Sequence, residues 1–311
     1  MTPLNERRLA NFKANRRGFY SLIIFLVLFF ASLFAEFIAN EKPIAFTLHD
    51  ELYLPVFFSY TESELGGELE TEAYYRDPYV EALINADGWV LWPPVRYSHD
   101  TIDWEIEGHL PNPPSADHLL GTDGLATDVL AKIIYGFRLS VLFGLSLTLI
   151  SSVIGITVGA FQGYFGGMTD LLGQRIVEIW AGLPVLLMLI ILASVVEPNV
   201  YWLLLILAFF SWMALVGVVR AEFLRARNFD FVRAARALGV SNLTIMRRHV
   251  LPNAMVATLT YLPFILNGSI TTLTALDFLG FGLPISEPSL GRLLEQARTN
   301  LQAPWVGVTA L

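Results

Sequence analysis

Five long apolar stretches constrain this chain more than any other feature. They cover residues 19–39, 139–161, 176–196, 200–219 and 255–276. Each reaches the length of about 20 residues that an α-helix needs to cross the hydrocarbon core of a bilayer. Of the 311 residues, 54% are hydrophobic and only 15% are charged, whereas a soluble domain carries about 25% charged residues. The sequence therefore predicts an all-α membrane protein that crosses the bilayer several times.

The first apolar stretch follows a basic N-terminus. Before it stand Arg7, Arg8, Lys13, Arg16 and Arg17. The segment 31–35, Ala-Ser-Leu-Phe-Ala, is similar to a signal-peptide cleavage region. The apolar stretch, however, is longer than the roughly 7–15 apolar residues of a cleavable signal. We therefore expect residues 1–18 to be a cytoplasmic N-terminus and residues 19–39 to be a retained first transmembrane helix.

The next segment, residues 40–132, is acidic and hydrophilic and is called the acidic segment below. Up to Asp128 its only basic residues are Lys42, Arg76 and Arg96. Each charge at the centre of a spanning helix costs about 2.5–3.5 kcal/mol, so this segment is not expected to cross the membrane. Its many aromatic residues indicate a small folded domain rather than a disordered linker. The run Trp89-Val90-Leu91-Trp92 predicts short strands.

Residues 133–311 are predicted to form the main transmembrane domain. Gly155 and Gly159 form a small-residue face suited to close helix packing, and Pro184 is expected to kink or break the third span. Residues 162–173 are predicted to be a glycine-rich turn. The stretch 304–311 has the start of a sixth span but not its length, so we expect a six-span fold with its last span truncated.

The basic residues predict the orientation. They concentrate at the N-terminus and in an arginine-rich loop, defined here as residues 225–252, which with its flanks carries Arg220, Arg225, Arg227, Arg233, Arg236, Arg247 and Arg248. By the positive-inside rule both regions face the cytoplasm. The acidic segment, a turn at 197–199 and residues 277–303 then face the other side, and the number of crossings agrees with this assignment.

Catalytic and metal chemistry have little support in the sequence. Cysteine is absent, and no phosphate-binding loop of the G-x-x-x-x-G-K-[ST] type occurs, so this chain is not expected to hydrolyse nucleotide. The histidines His49, His99, His109 and His118 lie in the acidic segment without close metal-ligand spacing. His109 and His118 are the pair that can meet in space, but we expect them to be surface residues. No cofactor, metal site or nucleic-acid partner is predicted.

Three acidic residues lie near span ends. Glu36, Glu178 and Asp277 are each within about one turn of a predicted end, where charged side chains pair or reach the interface. Glu178 can pair with Arg175 on the same helix face. Asp277, together with Asn267, is the candidate for a translocation path. Because no ionisable residue lies centrally, an ion-coupled carrier is disfavoured.

The arginine-rich loop has a regular internal pattern. A short helix is predicted for residues 229–238, with Val232, Ala235 and Leu238 on one face and Arg233 and Arg236 on another. Gly239 can end this helix in a left-handed conformation. In the following segment Ser241 can cap a second short helix, and Pro252 marks the start of the next span. Charge alone is explained by topology and lipid contact, but the ordered helix–Gly–helix pattern favours a docking surface.

This loop resembles the "EAA" loop of permease subunits from ATP-binding-cassette (ABC) importers. Further motifs resemble the dipeptide, oligopeptide and nickel branch in the same order: Leu120-Gly121-Thr122-Asp123 with Asp128-Val129-Leu130, Ile134 to Ser140, Gly163-Tyr164-Phe165-Gly166-Gly167 with Asp170, Asp277 to Gly282, and Pro288-Ser289-Leu290-Gly291. The long acidic segment with its Gly88 to Trp92 stretch is similar to permeases of the microcin C and oligopeptide type. In two places the chain departs from the pattern: Arg233 stands where the glutamate of the loop is usual, and Ala126-Thr127 stand where Gly-Arg is usual.

The resemblance implies a type I importer fold and a function in ATP-driven uptake of peptides or peptide-like compounds across a bacterial inner membrane. The implied partners are a second, homologous permease subunit, ABC ATPase subunits on separate chains, a periplasmic binding protein and the lipid bilayer. The residues implied to contact the ATPase are Arg233, Ala234, Ala235, Leu238, Gly239, Arg247, His249, Leu251 and Pro252. Transport of nickel or another small solute is one alternative, and a membrane-anchored structural or signalling subunit without transport is another.

Overall fold

The computed structural model describes residues 3–86, 88–106, 108–193, 195–196 and 199–310. They form two compact units, one made of the residues up to Leu139 with those from Ser286 onward, the other of Ser140–Ile285. The helices are α1 (Pro3–Ala14), α2 (Arg16–Leu33), α3 (Ala35–Ile38), α4 (Pro78–Asn85), α5 (Val129–Phe165), α6 (Gly167–Ala181), α7 (Val185–Ala193), α8 (Val200–Ser211), α9 (Met213–Ala226), α10 (Asp230–Ala237), α11 (Asn242–Thr244), α12 (Leu251–Phe278), α13 (Leu290–Thr299) and α14 (Pro304–Val308). The strands are β1 (Ala45–Leu48), β2 (Glu51–Tyr53) and β3 (Val90–Leu91).

The acidic segment contains a small antiparallel sheet with the strand order β2-β1-β3. Phe46 lies on the central strand, opposite Tyr53 on one side and Val90 on the other. Around it packs a core of Phe46, Leu48, Leu65, Ala73, Tyr75, Val80 and Ile84. The strand expected at 89–92 is confirmed by β3. The prediction of an all-α chain is too coarse, because alternating aromatic and aliphatic residues bury one face of this sheet.

Four described helices are long and apolar enough to cross a membrane, and a bent pair gives up to five candidate spans. The four are 16–33 (α2), 129–165 (α5), 200–226 (α8 continued by α9) and 242–278 (from the start of α11 to the end of α12). The bent pair consists of α6 and α7. The axes of α6 and α7 differ by 65°, which confirms the break expected at Pro184. The described helices thus supply at most five of the six predicted spans. The predicted turn through Glu197 and Pro198 lies outside the described residues.

The glycine-rich turn expected at 162–173 is wrong. Instead α5 continues to Phe165 and α6 begins at Gly167, so that Gly166 alone separates them, with a φ of +64°. Because glycine has no Cβ, it adopts this left-handed conformation without steric cost. One residue is therefore enough to redirect the chain.

The second span also begins earlier than expected, at Val129 rather than at 139. Its first turns contain Lys132 and Arg138, which the sequence analysis placed outside the membrane span. Lys132 pairs with the fully buried carboxylate of Asp123. The Arg138 Nη1 atom lies 2.8 and 3.0 Å from the two carboxylate oxygens of Glu36. Since both cations have partners, the helix extends through them.

The unit of residues 140–285 is held together by close approach of α5 to α9. A Cβ atom added to Gly159 would lie 2.7 Å from the Val216 carbonyl oxygen and 2.9 Å from the Val219 Cβ atom. Gly155 approaches Trp212 and Leu215 in the same way. The predicted small-residue face is therefore confirmed as a helix-packing surface.

Candidate coupling loop

The first half of the arginine-rich loop is the amphipathic helix α10. Val232 and Ala235 are buried, with 0% and 8% of their surface exposed, and they pack into the cluster that also contains Phe223 and Val250. The prediction that Leu238 shares this face is wrong, because Leu238 is 83% exposed. It is the C-cap residue rather than part of the helix, so its side chain leaves the helical periodicity. This leaves an apolar side chain free on the loop surface.

Gly239 ends α10 as predicted, with a φ of +75°. The N–H of Gly239 donates to the Arg236 carbonyl at 3.0 Å, and the N–H of Val240 donates to the Ala235 carbonyl at 3.1 Å. These two bonds are the Schellman arrangement, which needs a left-handed residue at this place. No atom lies within 4 Å of the position that a Cβ atom of residue 239 would take. Backbone conformation, and not space, therefore calls for glycine here.

The second half of the loop begins at the predicted cap Ser241, whose hydroxyl accepts the N–H of Thr244 at 3.4 Å. After α11, the segment Ile245–Val250 is a π-helix that runs into α12. Pro252 lies in the first turn of α12 and cannot donate an N–H to the carbonyl four residues before it. Such a missing bond accounts for the widened turn just ahead of the proline.

The structure divides the predicted loop contacts into three groups by exposure. Ala235 is buried, and His249 and Leu251 are partly buried. The residues on the surface are Arg233, Ala234, Leu238, Gly239, Arg247 and Pro252. Among the described residues Arg233 and Arg247 take part in no ion pair. The exposed surface of the loop thus combines unpaired positive charge with the apolar side chain of Leu238.

The helices beneath the loop are joined by an ion pair that the sequence analysis did not foresee. Arg220 on α9 binds both carboxylate oxygens of Asp170 on α6, with Nη2 2.7 Å from Oδ2. Two parallel bonds of this kind fix the relative orientation of the two groups. Asp170 belonged to a recognised motif, but nothing in the sequence identified Arg220 as its partner.

The two candidate path residues lie apart from the loop. Asn267 is exposed on α12. Asp277 is only 4% exposed, and its Oδ1 atom accepts the N–H of Leu283 at 2.7 Å. Its carboxylate thus holds the turn that follows α12. A role of either residue in a path stays a prediction.

The acidic segment contains a buried charge cluster centred on His118. The ring nitrogens of His118 lie 2.8 Å from Asp128 Oδ2 and 3.1 Å from Asp103 Oδ2, and the side chain is almost fully buried. The expectation that His118 is a surface residue is therefore wrong, whereas His109 is exposed. Burial alone would lower the pKa of His118, but the hydrogen bonds and charges of Asp128 and Asp103 raise it above its usual value.

Two groups next to this imidazole, Asp103 and Tyr97, also have shifted pKa values. Burial would raise the pKa of Asp103, but the hydrogen bonds from the Glu105 N–H, His118 and Tyr97 lower it. Burial, together with the partnership with Asp103, raises the pKa of Tyr97 to about 12. Folding therefore favours the ionised carboxylate of Asp103 and the protonated imidazole of His118.

Comparison with known proteins identifies the family of this chain. Residues 155–311 match the model of a family described as "Binding-protein-dependent transport system inner membrane component". The chain belongs to this family. The matched residues contain the whole arginine-rich loop, so the loop is part of the family's shared region.

Relatives extend the similarity to the acidic segment. The chain is 57% identical to an inner membrane ABC transporter permease protein, YejE, of Escherichia coli, over 100% of this chain and 91% of that protein. It is 54% identical to a peptidoglycan transport system permease protein of Agrobacterium fabrum, over 99% of this chain and 87% of that protein. An oligopeptide transport system permease protein, OppC, of Mycobacterium bovis is 36% identical over 72% of this chain and 77% of that protein.

The permease family confirms the main prediction from the sequence, which was a transport permease subunit of an ABC importer. It also supports the coarser predictions of a multi-pass inner membrane protein that works with an ATPase and a binding protein.

Proposed function

We propose that this chain is one of two permease subunits of an ATP-driven importer of peptides or peptide-like compounds. The relatives whose names specify a cargo belong to peptidoglycan, oligopeptide and dipeptide transport systems, which supports a peptide-type substrate. The substrate arrives from a periplasmic binding protein and passes between this chain and a homologous permease in a six-span arrangement. The N-terminus lies in the cytoplasm and the acidic segment lies outside it.

The observation that carries the proposal is the geometry of the arginine-rich loop. Its two halves meet at Gly239 in a fixed turn, and its apolar face is anchored in a core cluster with residues of α5, α9 and α12. Its outer surface presents Arg233, Leu238 and Arg247. A rigid projection of this kind, held in an ATPase cleft, turns closure of the cleft into rigid-body movement of the attached helices.

Substitution of Gly239 tests the backbone conformation of the loop separately from side-chain packing. A β-branched residue at a φ of +75° is strongly disfavoured, while a side chain here meets no neighbouring atom within 4 Å at its Cβ. We expect Gly239→Val to lower ATP-driven uptake of a labelled tripeptide by roughly tenfold, as an energy difference near 1.4 kcal/mol would do. Uptake is measured in vesicles that contain the whole importer.

The matched control is Gly239→Asn, because asparagine tolerates the left-handed conformation far better. It should retain most of the uptake. Both variants should assemble with their partners and bind the loaded binding protein. Undiminished uptake in Gly239→Val would refute the proposal that the loop couples the ATPase to transport. Uptake of nickel in place of the peptide would refute the proposal that the substrate is a peptide.

A further inference from the structure

The motif Gly163-Tyr164-Phe165-Gly166-Gly167 with Asp170 has no role in the function proposed above. Its first residues form the last turn of α5, and its final residues begin α6. Tyr164 is 4% exposed and belongs to the cluster that also anchors Val232 and Val250 of the arginine-rich loop. This places a phenol hydroxyl beneath the loop.

The Tyr164 side chain contacts both halves of the loop. Its hydroxyl donates to the Oδ1 atom of Asn242, the first residue of α11, at 2.9 Å. The same hydroxyl accepts from Nη2 of Arg236 on α10 at 3.3 Å. The Arg236 guanidinium carbon also lies 5.6 Å from the centre of the Tyr164 ring, within the range of a cation–π interaction. One side chain of α5 thus bridges the two helices that flank Gly239.

The rest of the motif fastens the same end of α5 to its neighbours. A Cβ atom on Gly163 would lie 2.5 Å from the Arg220 carbonyl oxygen and 2.6 Å from the Phe223 Cβ atom. The backbones of α5 and α9 are therefore in direct contact at this point. Since Asp170 in turn binds Arg220, α6 joins the same assembly. The glycine lets α5 and α9 approach closely, and the ion pair fixes the orientation of α6 relative to α9.

We propose that Tyr164 is a positioning residue that transmits movement of the arginine-rich loop to the second span. A buried hydroxyl bonded to α10 and α11 keeps the two halves of the loop in one orientation relative to α5. When the loop is displaced, α5 follows, and α9 and α6 follow through Gly163 and the Asp170–Arg220 pair. This inference rests on the proposed function for its energy source, but the bridge itself is a property of this chain.

The first test is the number of peptides imported per ATP hydrolysed by the complete importer. Tyr164→Phe keeps the ring and its packing and removes only the hydroxyl with its two hydrogen bonds. We expect this ratio to fall roughly three- to tenfold, the effect of losing one or two ordinary hydrogen bonds from the coupled state. Tyr201→Phe is the matched control, since Tyr201 is 83% exposed, and it should leave the ratio unchanged.

A structural role alone would lower the amount of assembled complex without changing the ratio. Asn242→Ala removes the acceptor of the hydroxyl and should lower the ratio in the same way. If Tyr164 acts through Asn242, the double variant is no worse than the more affected single variant. Fully multiplicative effects of the two changes, or an unchanged ratio in Tyr164→Phe, would overturn the proposal.

A second measurement needs neither substrate nor ATP. The chain has no cysteine, so spin labels can be attached to cysteines introduced at two exposed sites, Val153 on α5 and Asp230 on α10. We expect the distance distribution between the labels to broaden in Tyr164→Phe and Asn242→Ala and to stay narrow in Tyr201→Phe. An importer that does not take up peptides would refute the function proposed above, but the distance distribution would still test whether Tyr164 bridges the two halves of the loop. A distribution that does not broaden in Tyr164→Phe would refute this bridge.

Discussion

The acidic segment and the unit of residues 140–285 are stabilised by different interactions. In the acidic segment, buried charges are matched to partners, as in the Asp123–Lys132 pair and in His118 between Asp103 and Asp128. In the other unit, glycines bring helix backbones together, with Gly159 against α9 as the example. Both regions have an apolar core, to which the acidic segment adds buried charge pairs and the other unit adds close backbone contact at glycines.

The difference follows from the surroundings of each region. Lipid tails are as apolar as leucine, so burial of apolar side chains adds little between spans, and close packing of small residues becomes the main attraction. The acidic segment up to Asp128 lies outside the candidate spans, where water solvates charges in the unfolded chain. A charge buried there on folding must therefore gain strong partners, and removal of one partner strongly lowers the free energy of unfolding.

The largest expected effect tests the charged region. Asp123 is fully buried; its carboxylate binds Lys132 and accepts the N–H groups of Leu125 and Thr127 at 2.9 and 3.1 Å. Asp123→Asn leaves the Lys132 charge without its counter-ion, and we expect it to lower the free energy of unfolding by about 3–5 kcal/mol. Urea unfolding of the detergent-solubilised chain, followed by hydrogen exchange around residue 123, measures this change.

The control is the surface pair of the same region, in which Arg96 Nη1 lies 3.7 Å from Glu81 Oε1 and both side chains are about half exposed. Glu81→Gln should cost less than about 1 kcal/mol, because solvent screens such a pair. Equal costs for the two substitutions would show that burial does not distinguish these charges, and the contrast drawn between the two regions would lose its basis.

The next effect tests the glycine-packed region. Gly159→Ala places a methyl group 2.7 Å from the Val216 carbonyl oxygen, and we expect such overpacking to cost about 1–3 kcal/mol. Gly217→Ala is the control, because no atom lies within 4 Å of its added Cβ; it should be neutral or slightly stabilising. Unfolding in mixed detergent, followed by tryptophan fluorescence, compares the two, and equal stability would contradict close packing at Gly159.

The smallest effect concerns pH and the cluster of His118. Because the folded pKa of His118 is raised, its contribution to stability is complete below the unfolded pKa, near 6.5, and is lost as the pH rises through the folded pKa. The charged groups around the imidazole are Asp103, Asp128 and Arg76. We expect His118→Gln to lower the free energy of unfolding by about 1 kcal/mol at pH 6 and by less in alkaline solution.

Thermal unfolding between pH 6 and 9 measures this dependence. His109→Gln replaces an exposed histidine of the same region and should follow the wild-type curve throughout. A stability difference between wild type and His118→Gln that is independent of pH would mean that the imidazole is not charged in its buried position.

The expectations that held depend on signals close together in the chain. The candidate spans followed from runs of apolar residues, the break before α7 from Pro184, and the turn after α10 from Gly239. Each of these is decided by the backbone of a few neighbouring residues. The glycine that is usual at position 126 is explained in the same local way: Ala126 has a φ of +59°, a conformation that glycine adopts more readily.

The expectations that failed depended on partners far away in the sequence. His118 was expected at the surface, and the second span was expected to begin only after Lys132 and Arg138. Their positions follow from carboxylates on other segments. In the loop, Leu238 left its expected face because the helix ended one residue early. Tyr164 was part of a motif, but its partners lie 72 and 78 residues further along.

The sequence by itself determined that this chain enters a membrane, where most of its spans lie and how the arginine-rich loop turns. These features follow from the need to satisfy backbone hydrogen bonds within a short stretch, which apolar length, proline and glycine control locally. Only the tertiary structure decided which carboxylate receives each buried cation and which hydroxyl bridges the loop. Such choices depend on contacts between distant segments, because a buried polar group has many chemically suitable partners and the fold brings only a few of them within reach.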